Sequence, residues 1–133
     1  ALPKYELAVE KSRASKAVAA ARAIKDAEEV YYMANGVYTN DLTQLDVTVP
    51  IPDGFHGSIN LDQSYVLLTR DQNGFAYQIL FAFDGRKTFA GGQNLTGVHY
   101  CLASISSEKG IRLCAGYGPL LYEDSSFKRY RIN

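Results

Sequence analysis

The stretch from Lys4 to Ala34 contains neither glycine nor proline. Small apolar residues recur along it at Ala14, Ala17, Ala20, Ala21, Ile24, Ala27 and Tyr31, the i, i+3, i+4 spacing of one helical face. Charged residues fill much of the remaining surface. Asn35-Gly36 follows, and both residue types tolerate the left-handed conformation that ends helices. One helix of roughly 30 residues is predicted over 4–34, about 45 Å long at 1.5 Å per residue. That is more than twice the ordinary helix length, so the helix should overhang a domain of this size.

The stripe has two characters. Ala14–Tyr31 is amphipathic and must lie on something. Lys4–Ser12 carries Tyr5, Leu7, Ala8 and Val9 with no single clean face, so it is expected to find its partners outside its own domain and to be the most mobile part of the helix. The charges also run against the helix dipole. Asp26, Glu28 and Glu29 sit near the C-terminal end, where anions are disfavoured. Arg22–Asp26 and Lys25–Glu29 are i,i+4 pairs in the weaker orientation. Tertiary packing can override such small terms; the sharper reading gives Glu29 a partner on a neighbouring subunit.

Beyond the helix, a short helical turn capped by Thr39 or Asn40 is expected before Leu42 and Leu45. Pro50–Gly54 reads as a loop. The period then changes. Ser64–Arg70 and Phe75–Phe83 are rich in aromatic and branched residues, with Asp71-Gln72-Asn73-Gly74 as a hairpin turn between them. A second turn at Asp84-Gly85 leads into Lys87–Ala90, giving a three-stranded antiparallel meander over about 64–90. Gly91–Asn94 breaks the sheet, Gly97–Leu102 is a further strand or loop, and Ser106–Lys109 starts a short helical turn towards Cys114. The expected fold is α+β: a long N-terminal helix packed on an antiparallel sheet, with a cysteine-bracketed C-terminal region at about 101–114. The 133 residues fit a single domain, 1–133.

Chemistry-bearing patterns are sparse. No phosphate-binding loop or nucleophile elbow is present in the sequence, and no enzyme or cofactor is expected. His56 and His99 lack a paired-ligand pattern and read as ordinary histidines, so no metal is expected. Asp71–Gly74 lacks the later bidentate acid of a calcium loop. Zero net charge argues against a general electrostatic grip on nucleic acid or anionic lipid. The tail residues Lys128, Arg129 and Arg131 alternate with aromatics and offer a DNA contact, set against the plainer reading of a cation-bearing edge strand. Asn94-Leu95-Thr96 fits the glycosylation sequon and reads as chance. Cys101 and Cys114 are either one disulfide of an exported protein or two unrelated thiols of a cytosolic one. No stretch approaches the roughly 18 apolar residues of a membrane span.

Several segments together resemble the type IV pilin family. Ala1-Leu2-Pro3-Lys4-Tyr5-Glu6 resembles the family pattern just past its membrane-spanning half, and Glu10–Ala17 resembles its mid-helix. Ala34-Asn35-Gly36-Val37-Tyr38-Thr39-Asn40-Asp41-Leu42 resembles the helix exit, and Cys101 through Cys114 resembles the disulfide-bounded C-terminal loop. The likeness is strong at the helix and its exit, moderate at the cysteines and weak in the sheet. It implies a Cys101–Cys114 disulfide and a structural role: a subunit of an extracellular filament serving adhesion, motility or DNA uptake. It also implies an apolar helix half and a leader preceding Ala1, with Pro3 at the helix bend. The head would stand in the periplasm, anchored in the inner membrane, before assembly. The implied partners are other copies of the chain and other pilins, with a surface receptor or DNA as further ones. Tyr5, Leu7, Val9 and Glu29 are then the filament-interface candidates. The alternatives are a type II secretion pseudopilin, or a minor pilin that binds DNA or a receptor.

Overall fold

The computed structural model describes residues 4–85, 89–90, 93–94 and 97–132. Pro3, and Leu95 and Thr96 of the sequon, lie outside the described residues, as do Lys87 and Thr88 of the expected third strand.

Helix α1 (Lys4–Asn35) runs unbroken. Gly36 ends it at φ +74°, and its N–H returns to the Tyr32 carbonyl at 2.7 Å. A single 3-10 turn (Leu42–Gln44) follows. Its cap is Asp41, whose carboxylate accepts from the Thr43 N–H at 3.0 Å. The expected caps do other work: Thr39 is buried, and its hydroxyl accepts from the Asp41 N–H and donates to Gln44.

Eight strands follow: β1 (His56–Asn60), β2 (Tyr65–Gln72), β3 (Phe75–Ala82), β4 (Phe89–Ala90), β5 (Gln93–Asn94), β6 (Tyr100–Ser104), β7 (Leu120–Glu123) and β8 (Phe127–Arg131). Helix α2 (Glu108–Ala115) lies between β6 and β7 in sequence. Six strands form one antiparallel sheet in the order β1-β2-β3-β6-β8-β7; β4 and β5 pair separately.

Three expectations need correction. Of the expected third strand, Phe89-Ala90 do not join the meander. Its third strand is β1, upstream, which pairs with β2 from His56↔Thr69 to Asn60↔Tyr65. The sequence His-Gly-Ser-Ile-Asn has almost no β-propensity, and it lies on an exposed sheet edge where packing demands little. Gln93-Asn94, read as a sheet breaker, is itself a strand partner of Phe89-Ala90. The tail strand β8 is not an edge; it lies between β6 and β7, and β7 forms the edge. The hairpin at Asn73-Gly74 is as expected. Gln72 faces Phe75, and both turn residues have positive φ, 56° and 82°. That is the two-residue turn whose twist suits adjoining strands.

Strand alternation sends Val66, Leu68, Phe75, Tyr77, Ile79, Phe81, Cys101 and Ala103 to the sheet face covered by α1 and α2. There they meet Ala14, Ala17, Ala21 and Ile24, all within 1 % of complete burial. Alanine at these positions lets the helix axis approach the sheet closely. On the opposite sheet face Leu80, Ala82, Tyr100 and Leu102 form a second cluster.

Helix α2 is pinned by Ser107. Its Oγ accepts from the Gly110 and Ala76 N–H groups at 3.0 Å each, and donates to the Gly74 carbonyl at 2.8 Å. Gly110 is needed here because a Cβ would stand 2.6 Å from the Ala76 carbonyl oxygen. Cys101 on β6 and Cys114 on α2 are bonded, both fully buried. The disulfide therefore ties α2 to a central strand of the sheet. The protein is a long N-terminal helix packed on a six-stranded antiparallel sheet, with a disulfide in its C-terminal region.

Candidate functional site

The buried stripe of α1 is bounded at both ends by glutamates. Glu10 lies one turn before Ala14, and Glu28 one turn after Ile24; both are fully buried. Glu10 faces the sheet. Arg70 on β2 donates from Nε to Glu10 Oε2 at 2.6 Å and from Nη2 to Oε1 at 3.2 Å. The Tyr77 hydroxyl on β3 donates to Oε2 at 2.7 Å. Arg13 reaches Oε1 from one turn on, at 3.4 Å. Arg70 Nη1 also donates to Gln72 and the Gly54 carbonyl, and the guanidinium lies over the Phe55 ring. Such a forked, multiply hydrogen-bonded pair is the form in which a buried charge is tolerable. Burial, followed by the bond to Glu10, pushes the Tyr77 phenol far above its ordinary range.

This overturns the expectation that Lys4–Ser12 has no face on its own domain. Leu7 packs against the main core, Glu6 pairs with Lys109 of α2, and Glu10 is held by two strands. Tyr5 differs, being 81 % exposed. It borders an open cleft of about 590 Å³ between α1, α2 and the Asn73 turn, lined also by Glu6, Val9, Arg13, Phe75 and Lys109.

At the other end, Glu28 Oε1 accepts from the Thr39 N–H at 2.9 Å. Its Oε2 has no hydrogen-bond partner among the described residues. Desolvation raises the Glu28 pKa against the pull of the Thr39 bond, and the neighbouring Glu29 charge adds to the rise. Glu29 accepts from the Tyr38 hydroxyl and the Asp84 N–H, both at 2.8 Å, and lies 3.7 Å from Lys25. Its hydrogen bonds thus lie within the subunit. Tyr38 in turn packs between Tyr32 and Phe83, with ring centroids 4.6 and 4.7 Å away. Burial and the bond to Glu29 push its phenol up to about 12.

Of the four filament-interface candidates, Tyr5 and Val9 meet at the cleft, Leu7 turns to the core, and Glu29 belongs to the distant helix exit. The three tail cations are not brought together. Lys128 shares the helix-facing side of β8 with Tyr130, whereas Arg129 and Arg131 point to the other side. Arg129 is further committed to Asp124 at 2.8 Å and to the Tyr122 ring. His99 accepts from the Ala82 N–H through Nδ1 at 3.0 Å and stacks on Phe81. Among the described residues no cluster of three or more His, Cys, Asp or Glu is placed to hold a metal ion, and no helix is long and apolar enough to cross a membrane.

The sequence reading missed Glu10, Glu28, Arg70 and Tyr77 as a set. The signal was available for the glutamates: each continues the alanine stripe at i±4. No family model, curated protein or solved structure matches the chain.

Proposed function

We propose that this chain is a structural subunit of an extracellular filament of the type IV pilin kind. One observation carries the reading: a 32-residue helix lies along the sheet, anchored by Glu10 near one end and Glu28 near the other, yet its first turn leaves Tyr5 exposed beside an open cleft. A helix held this way can carry load between a head and whatever its N-terminal end packs against. The disulfide supports the same reading. It fastens the C-terminal region to the sheet, which suits a subunit exposed to shear and proteolysis outside the cell. The cysteine pair also favours a pilin over a type II secretion pseudopilin, since many major pseudopilins lack such a pair and use a calcium-binding loop instead. The DNA-contact reading is weakened by the division of Lys128, Arg129 and Arg131 between two sheet faces.

The test is genetic and biochemical. Surface filaments sheared from producing cells should contain this chain as shown by mass spectrometry, and deletion of its gene should remove or alter them. An unchanged filament fraction that never contains the chain would refute the proposal.

A further inference from the structure

The net charge of zero conceals a segregation. Residues 21–62 hold seven carboxylates against two cations, a net of −5. The rest of the chain holds twelve cations against seven carboxylates, a net of +5. The fold places part of each excess at opposite ends of α1. Lys4, Lys11, Arg13 and Lys16 are exposed on its N-terminal half, where Lys109 of α2 adjoins through Glu6. Asp26, Asp41, Asp46 and Asp62 are exposed around its C-terminal end and the segment that follows. None of these four carboxylates makes an ion pair among the described residues, and neither do Lys4, Lys11 and Lys16.

Asp41 caps the 3-10 turn, but α1 itself gains nothing from this arrangement. A helix is positive at its N-terminus and negative at its C-terminus, so the side-chain charges reinforce the dipole where opposing it would be stabilising. The acidic end also carries exposed apolar residues: Val30 (50 %), Met33 (79 %) and Val37 (58 %). The basic end carries the cleft bordered by Tyr5, Val9 and Phe75. Each end thus has what the other lacks in charge and a matching apolar element.

We propose that the acidic end of one copy, centred on Met33 and Val37, docks against the Tyr5–Val9 cleft of the next, on the helix half that bears Lys4, Lys11 and Lys16. The partner is a second copy of this chain, and the contact is head to tail. Because the two surfaces differ, the contact does not close into a dimer and repeats along an open chain. The inference rests on the filament reading for its setting, but its test reads the contact directly. It also makes the contact salt-sensitive, since exposed charges are screened over about 10 Å at 0.1 M salt.

The experiment is zero-length carbodiimide coupling of carboxylates to lysines in an equal mixture of ¹⁴N- and ¹⁵N-labelled chains at high concentration, mapped by mass spectrometry. The expected result is mixed-isotope links joining Lys4, Lys11 or Lys16 to Asp26, Asp46 or Asp62, with yield falling about fivefold or more between about 20 mM and about 500 mM salt. A chain carrying Asp26→Lys, Asp46→Lys and Asp62→Lys should lose self-linking. Mixing it with a Lys11→Glu, Lys16→Glu chain should restore links in the swapped sense. Absence of mixed-isotope links, links confined to one end, or links indifferent to salt in the unaltered chain would each overturn the proposal. Filaments that contain the chain without these links would sink this contact alone. Salt-sensitive links in a chain absent from filaments would sink the filament reading alone.

Discussion

Arg70 and Glu10 lie 60 residues apart in sequence and meet in a forked ion pair buried from solvent, with Arg70 Nε 2.6 Å from Glu10 Oε2. The pair fixes the register of α1 on β2, since sliding the helix by one turn would leave both charges buried and unpaired. Breaking it from one side should be expensive. Arg70→Ala or Glu10→Ala is expected to cost about 3–5 kcal/mol, because the surviving charge stays buried without compensation. For a chain of this size that lowers Tm by about 10 °C or more. The double replacement Glu10→Leu with Arg70→Met should cost much less than the sum of the single ones. Thermal melts followed by circular dichroism decide it; additive losses would mean that the two side chains act independently.

The disulfide gives a second stability prediction. Cys101 and Cys114 are both fully buried, so a mild reductant should reach them only slowly in the folded protein. Replacing both by serine should lower stability by about 3 kcal/mol, the scale for closing a short loop. Equal melting temperatures for variant and parent without reductant would count against a structural bond.

Glu28 yields a pH prediction. Its folded pKa is raised by burial, so the folded state holds the proton more tightly than the unfolded one. Stability therefore declines as pH rises above the unfolded value towards the folded one. Glu28→Gln keeps a carbonyl oxygen for the Thr39 N–H but cannot ionise. The stability of the variant relative to the parent should increase as pH is raised from about 4 to 7. Denaturant melts across that range test it; a constant difference between variant and parent would show that Glu28 ionises without hindrance.

His99 has the opposite sense. Burial, with Lys25 and Arg22 adding repulsion, lowers its pKa to about 4. The hydrogen bond it accepts from Ala82 also requires a neutral Nδ1. Its contribution to stability is complete above the unfolded value of 6.5 and is lost as pH falls from there through about 4. In an NMR titration the His99 ring resonances should not move until the pH approaches 4. A midpoint near 6.5 would contradict the burial argument.

How legible this was depended on the physical signal in each segment. The helix was plain because a glycine-free alanine stripe has one period and Asn35-Gly36 one stop. Strands β2 and β3 were plain because they supply the middle of the sheet's buried face, which favours branched or aromatic residues. Strand β1 was hidden because an exposed edge needs little from its side chains. Strand β8 was misplaced because Lys128, Arg129 and Arg131 read as solvent-facing, whereas long cationic side chains leave their stems against neighbours and their charges at Asp124 or in water. Glu10 and Glu28 continue the alanine stripe at i±4, but composition cannot say which turn of a helix is covered. Only the strand opposite, with its arginine, makes Glu10 a buried residue.

We propose that this chain builds an extracellular filament. Immunogold electron microscopy with antibody to the folded protein tests it most directly in producing cells. The account predicts thin surface filaments decorated along their whole length. Gold confined to cell bodies or dispersed in the medium, beside undecorated filaments, would contradict it.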